Sequence, residues 1–276
     1  MPDRALRPRL GSSAKALLLT VLGEFALPHD GSIWTSTIVD GLGLLDVNER
    51  NARQAVARLS EQGIVSSERV GRRTCWHLTD PGRQLLESGA ARIYEFGGNG
   101  TAWDSHWLVV VASVPEEQRA KRHQLRSRLE FAGFGFIGAG IAVSPHVERE
   151  LAANAILREL GLDDSAVVWL AETGSFVPDK EIIRRAWDID DLANRYVEFL
   201  AEFETRQPRS PENRFVSLVE LVHEWRRFPF FDPEIPDQLL PLSWPGRAAK
   251  RLFDARRTSW VPSAHEWFRE SEIHGG

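Results

Sequence analysis

Apolar residues recur at helical spacing near the start of the chain. Ala16, Leu19, Leu22 and Leu27 share one side of a helix that Ser12 and Ser13 can cap and Pro28 stops, predicting a helix over 12–27. Ile38, Val39 and Leu42 predict a second helix over 35–44, ended by Gly43. Asp46 followed three residues later by Glu49 is a capping-box pattern opening a third helix, 47–62, which Gly63 closes. The period then changes to alternation. Segments 64–70 and 73–78 read as two strands joined at Gly71-Arg72, a β-hairpin. Pro81 suits the first position of a further helix reaching about residue 96, and the glycine-rich run 97–100 reads as a linker.

Beyond that linker the order is strand 107–113, helix 115–131, two short strands within 134–143 broken at Gly138 and Gly140, helix 147–160 and strand 166–170. This βαββαβ order is that of a ferredoxin-like domain. From about residue 179 the pattern is helical over 179–204, 213–228 and from about 247, with a proline-rich connection at 229–245. The predicted class is α+β. A winged helix-turn-helix over 1–97 precedes a ferredoxin-like middle domain over 104–175 and a mostly helical domain over 176–276.

Composition narrows the function. With 42% hydrophobic and 26% charged residues the chain is of ordinary globular type. Cys75 is its single cysteine, which excludes an intramolecular disulfide and multi-cysteine zinc sites and suits the cytoplasm. Glu24 interrupts the apolar run that begins at Ala16, so that run reads as an amphipathic helix and not as a signal peptide, and no membrane span is expected. The net charge is -5, yet residues 1–92 carry twelve Lys/Arg against ten Asp/Glu. Any contact with nucleic acid therefore belongs to the N-terminal part.

Within the helix 47–62, Ala52, Ala55, Val56 and Leu59 share one sector, while Arg50, Arg53, Gln54 and Ala57 lie on or near the opposite side. Arginine can bond guanine bidentately and glutamine or asparagine can bond adenine, so Arg50, Arg53 and Gln54, with Asn48 and Asn51 near the helix start, are the candidate base readers. Arg58 adds a further cation to the same helix. Arg69, Arg72 and Arg73 on the hairpin are candidates for phosphate or minor-groove contacts, and Arg4, Arg7 and Arg9 form a basic arm. The expected partner is double-stranded operator DNA.

The run Arg53-Gln54-Ala55-Val56-Ala57-Arg58-Leu59, the pair Gln62-Gly63 and the run Glu68-Arg69-Val70-Gly71-Arg72-Arg73 resemble the PaaX-type repressors of phenylacetate catabolism. So does the stretch Leu239-Leu240-Pro241-Leu242-Ser243-Trp244-Pro245-Gly246-Arg247, so the resemblance spans nearly the whole chain. It implies a homodimeric repressor of a catabolic operon, relieved by phenylacetyl-CoA or another aryl- or acyl-CoA, with the helical domain 176–276 serving effector binding and dimerisation. Two features depart from the family pattern: Ile64 stands where an aromatic residue is common, and the third helix opens on the polar run Asn48-Glu49-Arg50-Asn51.

For such an effector Trp187, Trp225 and Trp244 are candidate aromatic contacts, with Arg226 and Arg247 as cations for its phosphates. Chemistry of other kinds finds little support. His223-Glu224 and His265-Glu266 begin a zinc-protease pattern, but Arg227 and Arg269 stand where the second histidine belongs. An alternative is a metal-dependent nuclease built on the middle domain, as in small CRISPR-associated proteins of that fold. Its first strand contains no carboxylate and only Asp104 precedes it. No enzyme activity, metal or cofactor is expected.

Overall fold

In a computed structural model describing residues 13–98 and 102–275, the Ser13 hydroxyl accepts from the Ala16 amide at 3.2 Å and starts α1 (Ala14–Val21). The helix does not continue regularly to its expected end. Leu22–Ala26 form a π-helical turn, which widens the coil and brings Leu22, Glu24, Phe25 and Ala26 all inside. Then come β1 (Ser32–Trp34), α2 (Thr35–Gly43), α3 (Glu49–Glu61), β2 (Val65–Val70), β3 (Arg73–Leu78) and α4 (Asp80–Glu95). The three strands form an antiparallel sheet in the order β1-β3-β2, with Val70 facing Arg73 at the hairpin end and Ile33 facing Trp76. This is the element order of a winged helix.

The start of α3 differs from the capping box expected at Asp46. Asp46 has φ of 60° in the turn after α2, where the Val47 amide bonds the Leu42 carbonyl at 3.0 Å. Asn48 is the cap instead, its Oδ1 accepting from the Asn51 amide at 2.9 Å. At α4 the cap is Thr79, whose hydroxyl accepts from the Gly82 amide at 3.1 Å. Gly82 sits so close to the chain before β2 that a Cβ there would lie 2.0 Å from the Ile64 carbonyl oxygen.

The chain divides into two compact units. The first comprises Met1–Phe96, Leu200–Arg227 and Lys250–Gly276. Its central helix is α9 (Pro211–Trp225), which buries Phe215, Val216, Leu218, Val219, Leu221, Val222 and Trp225. A helix apolar on nearly every side is one surrounded by other elements. His223, on this helix, is also buried, with Nδ1 3.1 Å from the Thr20 hydroxyl.

Burial, with Arg226 and Arg227 nearby, pushes the His223 imidazole down from 6.5 to about 4. Between those values the unfolded chain binds a proton that the folded chain does not, so stability falls as pH is lowered through this window and levels off below it. At about 1.4 kcal/mol per pH unit, the loss from His223 is of order 3 kcal/mol. Urea unfolding of wild type and His223→Gln at pH 7 and pH 4.5 tests this. The variant is expected to lose markedly less stability on acidification, and parallel losses would refute the assignment.

The second unit comprises Gly97–Phe199 and Phe228–Ala249. It contains β4 (Trp107–Ala112), α5 (Arg119–Phe131), β5 (Gly135–Gly138), β6 (Ile141–Ser144), α6 (Glu150–Glu159) and β7 (Ala166–Ala171). All pairings are antiparallel and the strand order is β5-β6-β4-β7, which is the ferredoxin-like topology. Leu125 and Leu129 of α5 and Ala153 and Leu157 of α6 cover one face of the sheet, against Leu108, Val110, Ala112 and Ala142.

Next come α7 (Asp179–Ala186) and α8 (Ile189–Phe203), where the sequence pattern predicts one continuous helix. Trp187 is extended, with φ of -133° and ψ of 151°, and Asp188 Oδ1 accepts from the Asp191 amide at 2.9 Å, capping the new helix. After α9, the short α10 (Phe228–Phe231) lies in the proline-rich connection, and α11 (Gly246–Gly275) ends the described chain.

Candidate nucleic-acid interface

Helix α3 buries Ala52, Ala55, Val56 and Leu59, so its orientation is set by the apolar stripe read from the sequence. The opposite side is exposed and carries Arg50, Asn51, Arg53, Gln54, Ala57 and Arg58. Asn48 is exposed too, but its side-chain oxygen is committed to the cap. Arg53 is held by Glu49, one turn earlier, at 2.8 Å with both side chains more than half exposed. Such an exposed i,i+4 pair contributes about 0.3–0.5 kcal/mol and exchanges readily for a phosphate or a base edge. The Glu49 partner is visible in the sequence as spacing, but the capping-box reading assigns that carboxylate to the helix start.

On the hairpin Arg69, Arg72 and Arg73 are exposed around the turn at Gly71, whose φ is 62°. Arg69 Nε donates to the Gly71 carbonyl at 3.4 Å, and Arg73 Nη1 to the His274 carbonyl of α11 at 3.5 Å. Glu68 lies on the same hairpin and engages His77 Nε2 at 2.9 Å. Helix and hairpin thus present six exposed arginines. Arg4, Arg7 and Arg9 lie outside the described residues.

The residues predicted to meet an effector are divided between the two units. Trp225 is buried in the first unit, stacked on Phe253 with ring centres 4.7 Å apart, and donates to the Ile93 carbonyl at 3.1 Å. Arg226, its neighbour, donates to the Ala16 carbonyl at 3.2 Å and the Thr20 hydroxyl at 3.1 Å. Both hold the interior together. The other three belong to the second unit. Trp244 packs edge-on to Tyr196, and Arg247 pairs with Asp237 at 2.9 Å. Trp187 alone of the five lines a cavity of about 570 Å³ within that unit.

Among the described residues no group of three or more His, Cys, Asp or Glu side chains is arranged to hold a metal ion, and no helix is long and apolar enough to cross a membrane. Asp104 is exposed and accepts from the His106 amide at 3.0 Å.

Three family models match the chain in succession. A PaaX-like protein model matches residues 13–82, the PaaX central Cas2-like domain 100–183, and the PaaX-like C-terminal domain 187–270. The chain belongs to the PaaX family.

It is similar to the transcriptional repressor PaaX of Escherichia coli, with 26% identity over 252 residues, covering 87% of this chain and 78% of that one. Its fold is shared with an uncharacterised protein of Mycobacterium tuberculosis at a TM-score of 0.64 and 17% identity, over 93% of this chain and 99% of the other. The arginine-bearing helix and hairpin fall inside the first PaaX match, and the four-stranded sheet β5-β6-β4-β7 inside the Cas2-like match. The tryptophan-bearing stretch 239–247 lies in the C-terminal PaaX match.

Proposed function

We propose that this chain is a sequence-specific, double-stranded-DNA-binding repressor of a catabolic operon, with α3 as the recognition helix and the β2–β3 hairpin as the wing. The observation that carries the reading is the exposed row Arg50, Arg53, Gln54 and Arg58 on a helix whose other side is fixed in the core, beside an arginine-tipped hairpin. The similarity to a named repressor along most of the chain supports it. In this reading Arg50, Arg53 and Gln54 contact bases, with Asn48 and Asn51 near the entering end of the helix. Arg58, Arg69, Arg72 and Arg73, together with the arm Arg4, Arg7 and Arg9, neutralise phosphates. The protein works in the cytoplasm as a homodimer on two half-sites, about 34–36 Å apart or a multiple of that.

Release from DNA results from binding of an aryl- or acyl-CoA with unequal affinity for the two states of the dimer. A coupling of about 1–3 kcal/mol changes operator affinity roughly 5- to 150-fold. The middle domain serves as a structural and dimerising element and not as a nuclease. Relatedness to a repressor favours this, as does a first strand, Trp107–Ala112, with no carboxylate.

Fluorescence anisotropy with the DNA upstream of the chain's own gene tests the reading. Arg53→Ala is expected to cost about 1–3 kcal/mol at a cognate site and much less on random DNA. Arg72→Ala is expected to weaken both and to reduce the salt slope by about one. Equal loss on both DNAs for Arg53→Ala would make it a phosphate contact. Absence of any preferred upstream site would overturn the repressor reading, and acyl-CoAs that bind without changing operator affinity would overturn the mode of release.

A further inference from the structure

The cavity of about 570 Å³ in the second unit lies among the C-terminal end of α5, the junction of α7 and α8, and α10 with the residues just after it. That volume is in the range of small-molecule sites, roughly 300–1,000 Å³. Its walls combine two features that are seldom left at a surface without a use. The first is aromatic: Phe131 and Phe230, 61% and 54% exposed, meet with ring centres 6.1 Å apart, and Phe134, Trp187 and Phe231 line the cavity with them. The second is charge. Glu130, Asp188, Asp191 and Asp232 line the cavity against only Arg126 and Arg195.

Both guanidinium groups are already engaged. Arg126 pairs with Glu130 at 2.9 Å and lies over the Phe136 ring, while Arg195 pairs with Asp191 at 2.7 Å and lies over Phe231. The other two carboxylates are held by neutral donors. Asp188 accepts the Asp191 amide, and Asp232 accepts the Tyr196 hydroxyl at 2.5 Å and the Glu234 amide at 2.7 Å. Behind this wall Arg149 donates to the Gly133 and Pro233 carbonyls, lies 3.9 Å from Glu234 and also acts on Asp232, leaving the carboxylates around the cavity in excess over its cations. Burial first of all raises the Asp232 carboxyl to about 6, with the Glu234 charge adding to the rise and Arg149 and the hydrogen bonds from Tyr196 and the Glu234 amide opposing it.

We propose that this cavity binds a small organic cation, an aryl-alkyl ammonium, with its ring among Phe131, Trp187 and Phe230 and its charged nitrogen toward Asp188 and Asp232. Ring faces attract cations and bury apolar bodies, and the surplus carboxylates supply the charge that the pocket lacks. A ligand of the same shape with a carboxylate in place of the ammonium would lose its water shell beside like charges. The site is independent of the acyl-CoA reading, since it selects the opposite sign of charge.

Isothermal titration calorimetry of the full chain with phenethylammonium and with phenylacetate, closely similar in shape and opposite in charge, separates the outcomes. Phenethylammonium is expected to bind saturably and phenylacetate at least tenfold more weakly. Asp188→Asn and Asp232→Asn are each expected to weaken the ammonium at least fivefold while the circular dichroism spectrum stays that of wild type. Asp188, being exposed, keeps the test valid where the Asp232 variant fails to fold. No binding of the ammonium at millimolar concentration, equal binding of the two probes, or unchanged affinity in Asp188→Asn would overturn the proposal. Operator binding is measured separately, so failure here leaves the repressor reading intact and the reverse holds too.

Discussion

Arg257→Met is expected to lower the stability of the chain by about 3–5 kcal/mol, the cost of stranding a buried charge. The charge is that of Glu24, whose side chain is 0% exposed and sits in the π-helical turn after α1. Arg257 of α11 reaches it with Nη2 at 2.9 Å and Nε at 3.4 Å, and the Tyr94 hydroxyl of α4 donates to the same carboxylate. Burial, then the Glu24 charge itself, pushes the Tyr94 hydroxyl far above its ordinary range, so it stays a donor at any working pH. Without Arg257 the carboxylate has a neutral donor and His265 Nε2 at 3.9 Å. The unfolding midpoint in urea reads the loss, at unchanged slope. Glu24→Met combined with Arg257→Met is expected to recover most of it, because replacing both partners removes the uncompensated charge. A loss below about 1 kcal/mol for the single variant would mean that water or the remaining donors satisfy the Glu24 carboxylate without Arg257.

Phe25→Ala is expected to cost a similar amount, about 3–5 kcal/mol, through lost burial and the cavity left behind. Phe25 is fully buried, with ring centres 4.8 Å from Phe215, 4.8 Å from His265 and 5.4 Å from Phe268. These partners come from α9 and α11, so one side chain ties the N-terminal helix to two segments more than 180 residues away. The rings surround it on several sides and cannot all close on the gap. Differential scanning calorimetry and urea unfolding measure the effect, and a cost below about 1.5 kcal/mol would show that the cluster collapses. His265 touches both Phe25 and the Glu24 neighbourhood, so the Phe25 and Arg257 changes are expected to couple by about 0.5 kcal/mol or more.

The features legible in the sequence are those that local spacing controls. The stripe Ala52, Ala55, Val56 and Leu59 defines which side of α3 faces out, and alternation with Gly71 locates the hairpin, since helical and extended periods expose different faces. The βαββαβ order fixes a topology because few arrangements of those elements are allowed.

The less legible features depend on distant partners. Glu24 reads from sequence as a polar break in an apolar run, because nothing local reveals that Tyr94 and Arg257 will enclose it. Asp46 and Asn48 offer similar caps two residues apart, and the choice falls to Asn48 because the turn after α2 places Asp46 at positive φ. β1, three residues long, is too short to show a period and is held by pairing to β3. A large ring is as useful for filling an interior as for meeting a ligand, and the sequence alone does not show that Trp225 fills the interior.

The π-helical turn at Leu22–Ala26 has a consequence for which changes of chain length this protein tolerates. It accommodates one more residue per turn than a regular helix would, and that surplus is what lets Glu24 and Phe25, adjacent in sequence, both point inward. Deleting one residue here would let the helix close into an ordinary turn and rotate α1 by about 100° relative to the segment after the turn. Either the carboxylate would swing away from Arg257 or the apolar side of α1 would leave the core. A related chain one residue shorter at this turn should therefore lack the counterpart of Glu24, of Arg257, or of both.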